Sequence, residues 1–497
     1  MNYKNIRYIS LIWIGLLAVN TLYAQQEFTL YHMPVLSQAT YLNPAAVPEH
    51  KVSLSLPIPS VFVGFNNSAL NVKAFVDKNG NVDYNKFVDG LDKNNNYLGV
   101  GANSELFHLR VKAANNFFSA HTRVVNDFRF IYPKDLLGIG SVGIKDGYSL
   151  SGLGINFNSY LEYGLGFTRV KPDSKWTYGA RVKMLKGIAN IQTKSSEIEL
   201  AVNQNDIYQY DLNTKMEVNI AAGVDPLQVS SVNDISNINF NSYNDAKNVL
   251  KLNTGYAVDL GATLQFSEKL SFGIAVNNLG YINWNSYVEN YSADVNLKFD
   301  GVILENIDFT GNIDSLFNTQ VDSIFQSYED TFNSGTDTTQ IGYKTWLPTN
   351  VFLSAHYQFS PSTRATASLY TEFFDGVSLG AVVGINHSIG RGFDFTTSWW
   401  WFKNSGANLG LGIVFKPAFA QFYVVMDNVL PASFIKVSDP ETNLSGVYLP
   451  YEVKNFNIRV GMNFVFGRIK NESRLPNLGI SKHDHGVRRY LYKPSLK

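Results

Sequence analysis

The sequence contains no cysteine, which excludes a disulfide framework, a lipidated N-terminal cysteine and any thiolate metal site. Charge is scarce: Asp, Glu, Lys and Arg make up 16% of the chain, against roughly 25% in soluble domains. The 41 basic residues cancel the 41 acidic ones, so there is no basic field to hold nucleic acid. Beyond residue 24 no apolar run approaches the 18 or so residues of a membrane helix. What the 497 residues do have is aromatic surface, with 34 Phe and 28 Tyr.

The N-terminus reads as a secretory signal. Lys4 and Arg7 precede an apolar run from Ile9 to Val19, and Leu22-Tyr23-Ala24 leads into Gln25-Gln26. This is a charged region, a short apolar core and a small residue before a polar start, with cleavage expected after Ala24. An exported chain of this size with neither disulfides nor a spanning helix is periplasmic, secreted or an outer-membrane barrel, and its strand pattern separates these.

The clearest pattern lies between Gly255 and Leu279. Tyr256, Val258, Leu260, Leu264 and Phe266 alternate with Ala257, Asp259, Gly261, Thr263 and Gln265; after Ser267-Glu268-Lys269, Leu270, Phe272, Ile274 and Val276 alternate with Ser271, Gly273, Ala275 and Asn277. That is a hairpin with one apolar and one polar or small face. In a sandwich the apolar face looks inward; in an outer-membrane barrel it faces lipid. Elsewhere the polar face carries Arg181 and Lys183 opposite Tyr178, Val182 and Met184. Those charges are costly in a sandwich core, whereas a wet lumen accepts them. From Asn350 to Met426 the alternation becomes regular, with Glu372 and Asp394 on the polar face. Segments of about 10 residues with one polar face throughout match transmembrane strands.

The remaining segments complete the plan. Residues 25–50 alternate poorly and carry Pro34, Pro44 and Pro48, so they are irregular. Phe87, Val88 and Leu91 mark a short helix in a polar loop. The long acidic segment 281–345 contains Phe317, Val321, Ile324, Phe325, Tyr328 and Phe332 at helical spacing between Asp314 and Gly335, which predicts an amphipathic helix in an external loop. The final run places Arg459, Gly461, Phe464 and Phe466 in a polar-x-Gly-x-x-aromatic-x-aromatic arrangement, which resembles the signal read by the barrel assembly machinery. With Phe466 at the periplasm, the long connections fall outside and the short turns inside. The expected fold is therefore an all-β antiparallel transmembrane barrel over 51–467, of about 14 strands with 12–16 allowed, followed by a basic periplasmic tail at 468–497.

Tyr41-Leu42-Asn43-Pro44-Ala45-Ala46 resembles the Asn-Pro-Ala element of FadL-type transporters and of the PorV-like barrels of type IX secretion. Gly255-Tyr256-Ala257-Val258-Asp259-Leu260-Gly261-Ala262, Asn278-Leu279-Gly280-Tyr281-Ile282-Asn283-Trp284 and Trp346-Leu347-Pro348-Thr349 resemble an uncharacterised outer-membrane barrel family of Bacteroidota related to them. Gln38 and Tyr41-x-Asn43-Pro44 are similar to the start of PorP/SprF-like barrels, which partner exported adhesins. The resemblance implies an N-terminal hatch inside the lumen, with Asn43, Pro44 and Ala45 as its turn. Read without it, Asn43-Pro44 is a rigid turn leading into the first strand.

Two functions follow as expectations. One is a passive channel, FadL-like, for small hydrophobic or amphipathic molecules; the other is a docking barrel whose external loops hold a secreted protein partner. Outer-membrane lipid surrounds the barrel in either case, and no cofactor is expected. Asp259, Gln265, Glu372 and Asp394 are the polar lumen residues that would tune selectivity. Catalysis is set aside because the adjacent strand residues His387 and Ser388 point to opposite faces. His483-Asp484-His485 lies in a basic tail where solvated histidines are the simpler reading.

Overall fold

The computed structural model describes residues 27–55, 60–68, 76, 83–94, 96–142, 147–170, 174–202, 209–222, 253–299, 334–373, 376–402, 406–429, 434–437, 447–450 and 455–469. The expected signal peptide, the expected helix around 317–332 and the tail from 470 onward lie outside the described residues.

Fourteen wall strands follow one another among the described residues. They are β1 (His50–Ser55 and Ser60–Asn67), β2 (Asn96–Ala113), β3 (Asn116–Tyr132), β4 (Gly154–Val170), β5 (Trp176–Val202), β6 (Thr254–Gln265) and β7 (Leu270–Trp284). The second half comprises β8 (Thr349–Ser360), β9 (Thr363–Phe373), β10 (Val377–Ile389), β11 (Phe393–Phe402), β12 (Gly406–Phe415), β13 (Ala420–Asp427) and β14 (Asn455–Arg468). Each pairs antiparallel with the next. The ring closes where β14 bonds β13 on one side and both pieces of β1 on the other. Closure leaves no unpaired wall edge, which a bilayer would not tolerate.

The two faces of the β6–β7 hairpin sort as the alternation requires. Asp259 is fully buried while Leu260 is 49% exposed, and Val276 opposes Leu260 across the pair. The register then shifts between Val276 and Leu279. At that bulge Asn278 takes a positive φ of 61°, and its backbone N–H donates to the Asp259 carboxylate at 2.7 Å. The remaining outer face is apolar, with Leu165, Leu353, Leu369, Val383, Trp399 and Phe466 exposed. An outward apolar belt on a closed barrel is the architecture of an outer-membrane protein.

The ends of the barrel differ. Strands meet through short turns at Ala114-Asn115, Ser267–Lys269, Pro361-Ser362 and Gly390–Gly392 at one end; at the other, the connections after β1, β3, β5, β7 and β13 are much longer, while those after β9 and β11 span three residues each. Aromatic pairs gather near the short turns: Trp176 with Tyr178, Tyr357 with Phe359, Phe393 with Phe415, and Phe419 with Phe464. Such girdles mark a membrane interface. The long-connection end carries the helix Tyr84–Asp89, capped by the Asp83 side chain, where the short helix was expected.

β5 is the exception in length, with 27 residues. Its first half pairs with β6, while its second half pairs with a separate strand, Tyr210–Ala222, which in turn pairs with Val288–Phe299. This sheet rises beyond the barrel, and its strand Val288–Phe299 falls in the 281–345 segment expected as an external loop, whose first residues belong to β7. Its cross-strand pairs Lys194–Glu217, Lys215–Asp294 and Lys298–Asp211 are solvated ion pairs, which belong in water rather than lipid.

The face assignment is testable at one hairpin. Leu260→Arg should lower the yield of heat-modifiable, membrane-inserted barrel sharply, because an arginine on the lipid face near the midplane costs about 2–4 kcal/mol. Gln265→Arg, on the inner rim, should insert close to normally; equal losses would reverse the assignment.

Candidate functional site

The lumen is occupied by the chain's own N-terminal segment. Residues 27–49 contain one helical turn, Phe28–Tyr31, and a 3-10 turn, Ser37–Tyr41. Nearly every side chain in them is buried; Phe28, Leu30, His32, Met33, Leu36, Gln38 and Thr40 have no exposed surface. Apolar side chains pack on inward aromatics of the wall: Phe28 lies edge-on to Tyr370 and against Trp400, and Tyr31 stacks on Phe352 with ring centres 4.1 Å apart.

Tyr41 joins the segment to charged groups of three wall strands. Its hydroxyl donates to Glu105 Oε2 at 2.5 Å, and the guanidinium groups of Arg123 and Arg181 lie 4.8 and 5.1 Å from its ring centre. Each contact of that kind contributes about 0.5–2 kcal/mol, with the upper value reached when water is excluded. Burial first, and the Glu105 carboxylate next, push the phenol well above its usual pKa, so Tyr41 remains a donor. Gln38 bridges Glu105 and Asn463, and Arg181 donates to Thr40 Oγ1 at 3.1 Å. Glu27 receives both Arg459 Nε and Nη2, at 2.5 and 2.9 Å. Burial lowers the His32 imidazole to a pKa of about 3, with the nearby Arg364 guanidinium adding to the effect, so His32 is neutral.

The turn at Asn43, Pro44 and Ala45 depends on two glycines of the wall. Asn43 Oδ1 accepts the Ala45 N–H at 2.9 Å, an Asx turn. Thr168 Oγ1 donates to the Pro44 carbonyl at 2.7 Å and Arg110 to the Ala46 carbonyl at 3.0 Å. A methyl group at Gly261 would lie 2.6 Å from Asn43 Oδ1 and 2.8 Å from the Ala45 nitrogen, and one at Gly179 would overlap the Pro44 carbonyl. The turn therefore rests directly on bare backbone of β5 and β6.

Charge inside the wall is paired rather than hydrated. Lys183 Nζ lies 2.8 Å from Asp259, Arg181 lies 3.4 Å from the same carboxylate, and Arg123 grips Glu162 bidentately at 2.9 and 3.0 Å while His121 adds a third bond at 2.8 Å. The expectation of a wet lumen around Arg181 and Lys183 is corrected here. These side chains are 2% and 3% exposed because the N-terminal segment displaces the water, and carboxylates on neighbouring strands compensate the charge.

Of the other polar residues read from sequence, Glu372 is buried and receives the Tyr370 hydroxyl at 2.5 Å. Asp394 accepts Ser388 Oγ at 2.5 Å and pairs with Lys416, which also reaches Glu49. Gln265 sits at the rim of the short turns, donating to the Ser267 carbonyl at 2.6 Å. Asp259 reaches the segment through Arg181, which donates to Thr40; Glu372 and Asp394 lie elsewhere along the wall. In β14, Phe466 is exposed to the outside, while Arg459 turns inward to Glu27. His387 points outward, bonded to Thr363 at 2.9 Å, and Ser388 inward. Sequence reasoning missed Glu27, Glu105 and Glu162; for the last two, an inward acidic residue beside inward Arg and Lys on adjacent strands was the available signal.

Two neighbouring cavities lie beyond the segment, toward the long connections. One of 130 Å³ is lined by Tyr41, Asn103, Asn158, Tyr160, Asn277 and Asn350, and a second of 370 Å³ by Asn156, Asn158, Asn190, Gln192 and the Tyr343–Trp346 strand. Asn158 and Trp346 border both. Among the larger depressions described, the apolar one, of 540 Å³ over Ala355, Ala365, Ala367, Ile385 and Trp399, lies on the outer face.

The sequence profile of a family of unknown function, DUF5723, matches residues 44–427. The chain belongs to that family. No curated protein matches it. Among solved structures, the family member is similar to the deltaS2S3 mutant of TodX, a monoaromatic hydrocarbon channel, at 10% identity and a TM-score of 0.42, covering 86% of this chain and 95% of that one. It is also similar to the Pseudomonas putida toluene transporter TodX at 9% and 0.38, covering 86% and 91%, and to a Pseudomonas aeruginosa FadL homologue at 10% and 0.38, covering 86% and 92%. At these values the likeness concerns outline, and no residue role follows from it.

The bare backbone under Pro44 gives a direct test in a protein without cysteine. Ala39→Cys introduces a single thiol, now buried, that should react slowly with a maleimide in the folded barrel. Adding Gly179→Val should speed that reaction at least about tenfold by expelling the turn, while adding Gly392→Ala, which meets nothing within 4 Å, should leave it slow.

Proposed function

We propose that this protein is a non-enzymatic outer-membrane channel, exported by its signal peptide, in which residues 27–49 act as a hatch and small amphipathic molecules pass when the hatch moves. One observation carries the reading. Between Thr29 and Ala46 every hydrogen bond described between segment and wall has a side chain at one end, whereas the wall strands hold one another through backbone ladders. The segment can therefore leave the lumen without opening the barrel, exchanging its side-chain bonds for water. The cavities beyond it favour an amphipathic cargo over a pure hydrocarbon, because carboxamides left without partners resist an apolar occupant.

A second reading is a docking barrel of the PorV-like or PorP/SprF-like kind, holding a secreted protein partner. It is favoured by the charged sheet that β5 carries beyond the membrane, and by the fullness of the lumen. In that reading the hatch is a permanent core.

The two readings part on a reversible clamp. Ser37 Oγ and Ser53 Oγ are 2.9 Å apart, hatch to wall, so Ser37→Cys with Ser53→Cys should form a disulfide. In proteoliposomes the reduced protein should admit a small amphipathic solute and the oxidised protein should not. No flux in either state above that of empty liposomes removes the channel reading and leaves docking; equal flux in both states removes the hatch as the gate.

A further inference from the structure

We propose that the paired cavities beyond the hatch form a binding site for a neutral saccharide, either free or as the head group of an amphiphile; this rests on the channel reading and names the class of its cargo. The lining is the argument. Inward carboxamides from five strands converge there: Asn103 on β2, Asn158 on β4, Gln192 on β5, Asn277 on β7 and Asn350 on β8. A carboxamide offers one acceptor and two donors, which suits a hydroxyl that must both give and receive a hydrogen bond.

Much of this capacity is unspent. Asn103 and Gln192 have no side-chain hydrogen bond among the described residues, and Asn277 Oδ1 is buried without a partner. Others are held in place by neighbours: Asn190 donates to Asn158 Oδ1 at 2.7 Å and receives the Tyr343 hydroxyl at 2.6 Å, and Asn277 donates to Asn350 at 2.9 Å. The lining is thus partly pre-organised and partly free, so a ligand need not order it.

Charge selects against ions. Of the charged groups at the cavity, Arg123 is spent on Glu162 and Glu27 on Arg459, and Glu372 receives Tyr370. Asp127 also borders it and supplies a strong acceptor for a sugar hydroxyl. The ring of Tyr160, which borders the cavity, gives apolar surface for the C–H face of a pyranose. A phosphate or a free carboxylate would find no uncommitted cation there among the described residues, apart from Lys344, which lies 4.8 Å over the Tyr281 ring.

The test uses the full-length mature barrel in a detergent without a sugar head group, such as an amine oxide, with maltose, octyl maltoside, glucuronate and inorganic phosphate as probes in saturation-transfer NMR. Saturable binding of maltose or of octyl maltoside, but not of glucuronate or phosphate, is expected. Binding of both glycosides assigns the free sugar, and binding of octyl maltoside alone assigns an amphiphile head group. Asn158→Leu and, separately, Gln192→Leu should weaken binding about tenfold, the loss expected for one or two hydrogen bonds, with heat-modifiable mobility confirming each fold. Binding that survives both substitutions, or no saturable binding of either glycoside, overturns the assignment. Solute flux in the reduced clamp variant without glycoside binding would refute this site and keep the channel. Glycoside binding without flux would keep the site and refute the channel.

Discussion

Everything inside this barrel depends on what is done with charge that cannot reach water. Arg181, Lys183, Asp259, Arg123 and Glu162 lie on neighbouring strands and satisfy one another at 2.8 to 3.4 Å. Removing one partner from such a buried set commonly costs 3–5 kcal/mol, because the remaining charge is stranded. The pairing allows the N-terminal segment to enter a lumen that would otherwise require solvent. It also fixes where the segment rests, since Tyr41 lies within reach of two of those cations.

Wall and segment are built on different terms. The wall is a closed ladder of backbone bonds, each cooperative with its neighbours, and its outer face is held by lipid. The segment has one helical turn, a 3-10 turn and an Asx turn, none of them stable alone. It is ordered by the cavity that encloses it, through aromatic packing at Phe28 and Tyr31 and polar contacts at Glu27, Gln38 and Tyr41. Small inward residues make that enclosure close enough: side chains at 179 and 261 would occupy the volume of the Asn43–Ala45 turn.

The wall was legible because a lipid-facing strand must alternate for its whole length, and alternation survives in a single sequence. The β6–β7 hairpin, the regular run from 350 to 426 and the closing strand all declare themselves that way, and they imply about the fourteen strands found. The interior was less legible. Asp259 could be placed on the inner face by parity, but its partners Lys183 and Arg181 sit some 75 residues away, and register between distant strands is not written in either strand alone. Glu27 bonds Arg459 across the entire sequence, and local pattern carries no trace of that. The outer half of β5 does alternate, with Ile198 and Leu200 buried between exposed Glu197, Glu199 and Ala201, but so short a run does not declare a strand by period alone.

That outer half changes how the molecule would carry force. β5 is covalently continuous from Trp176 to Val202. At roughly 3.3 Å per residue it is far longer than a membrane of about 25 Å of apolar height requires. Arg181, near one end, holds Thr40 of the segment, and Ala189–Val202, at the other, carries the external sheet. Its pairing is interrupted twice, at Ile188 between those contacts and at Lys194 within the outer one. A tug on the outside sheet therefore arrives at the lumen along a single jointed lever, with both joints above the point where the lever meets its load.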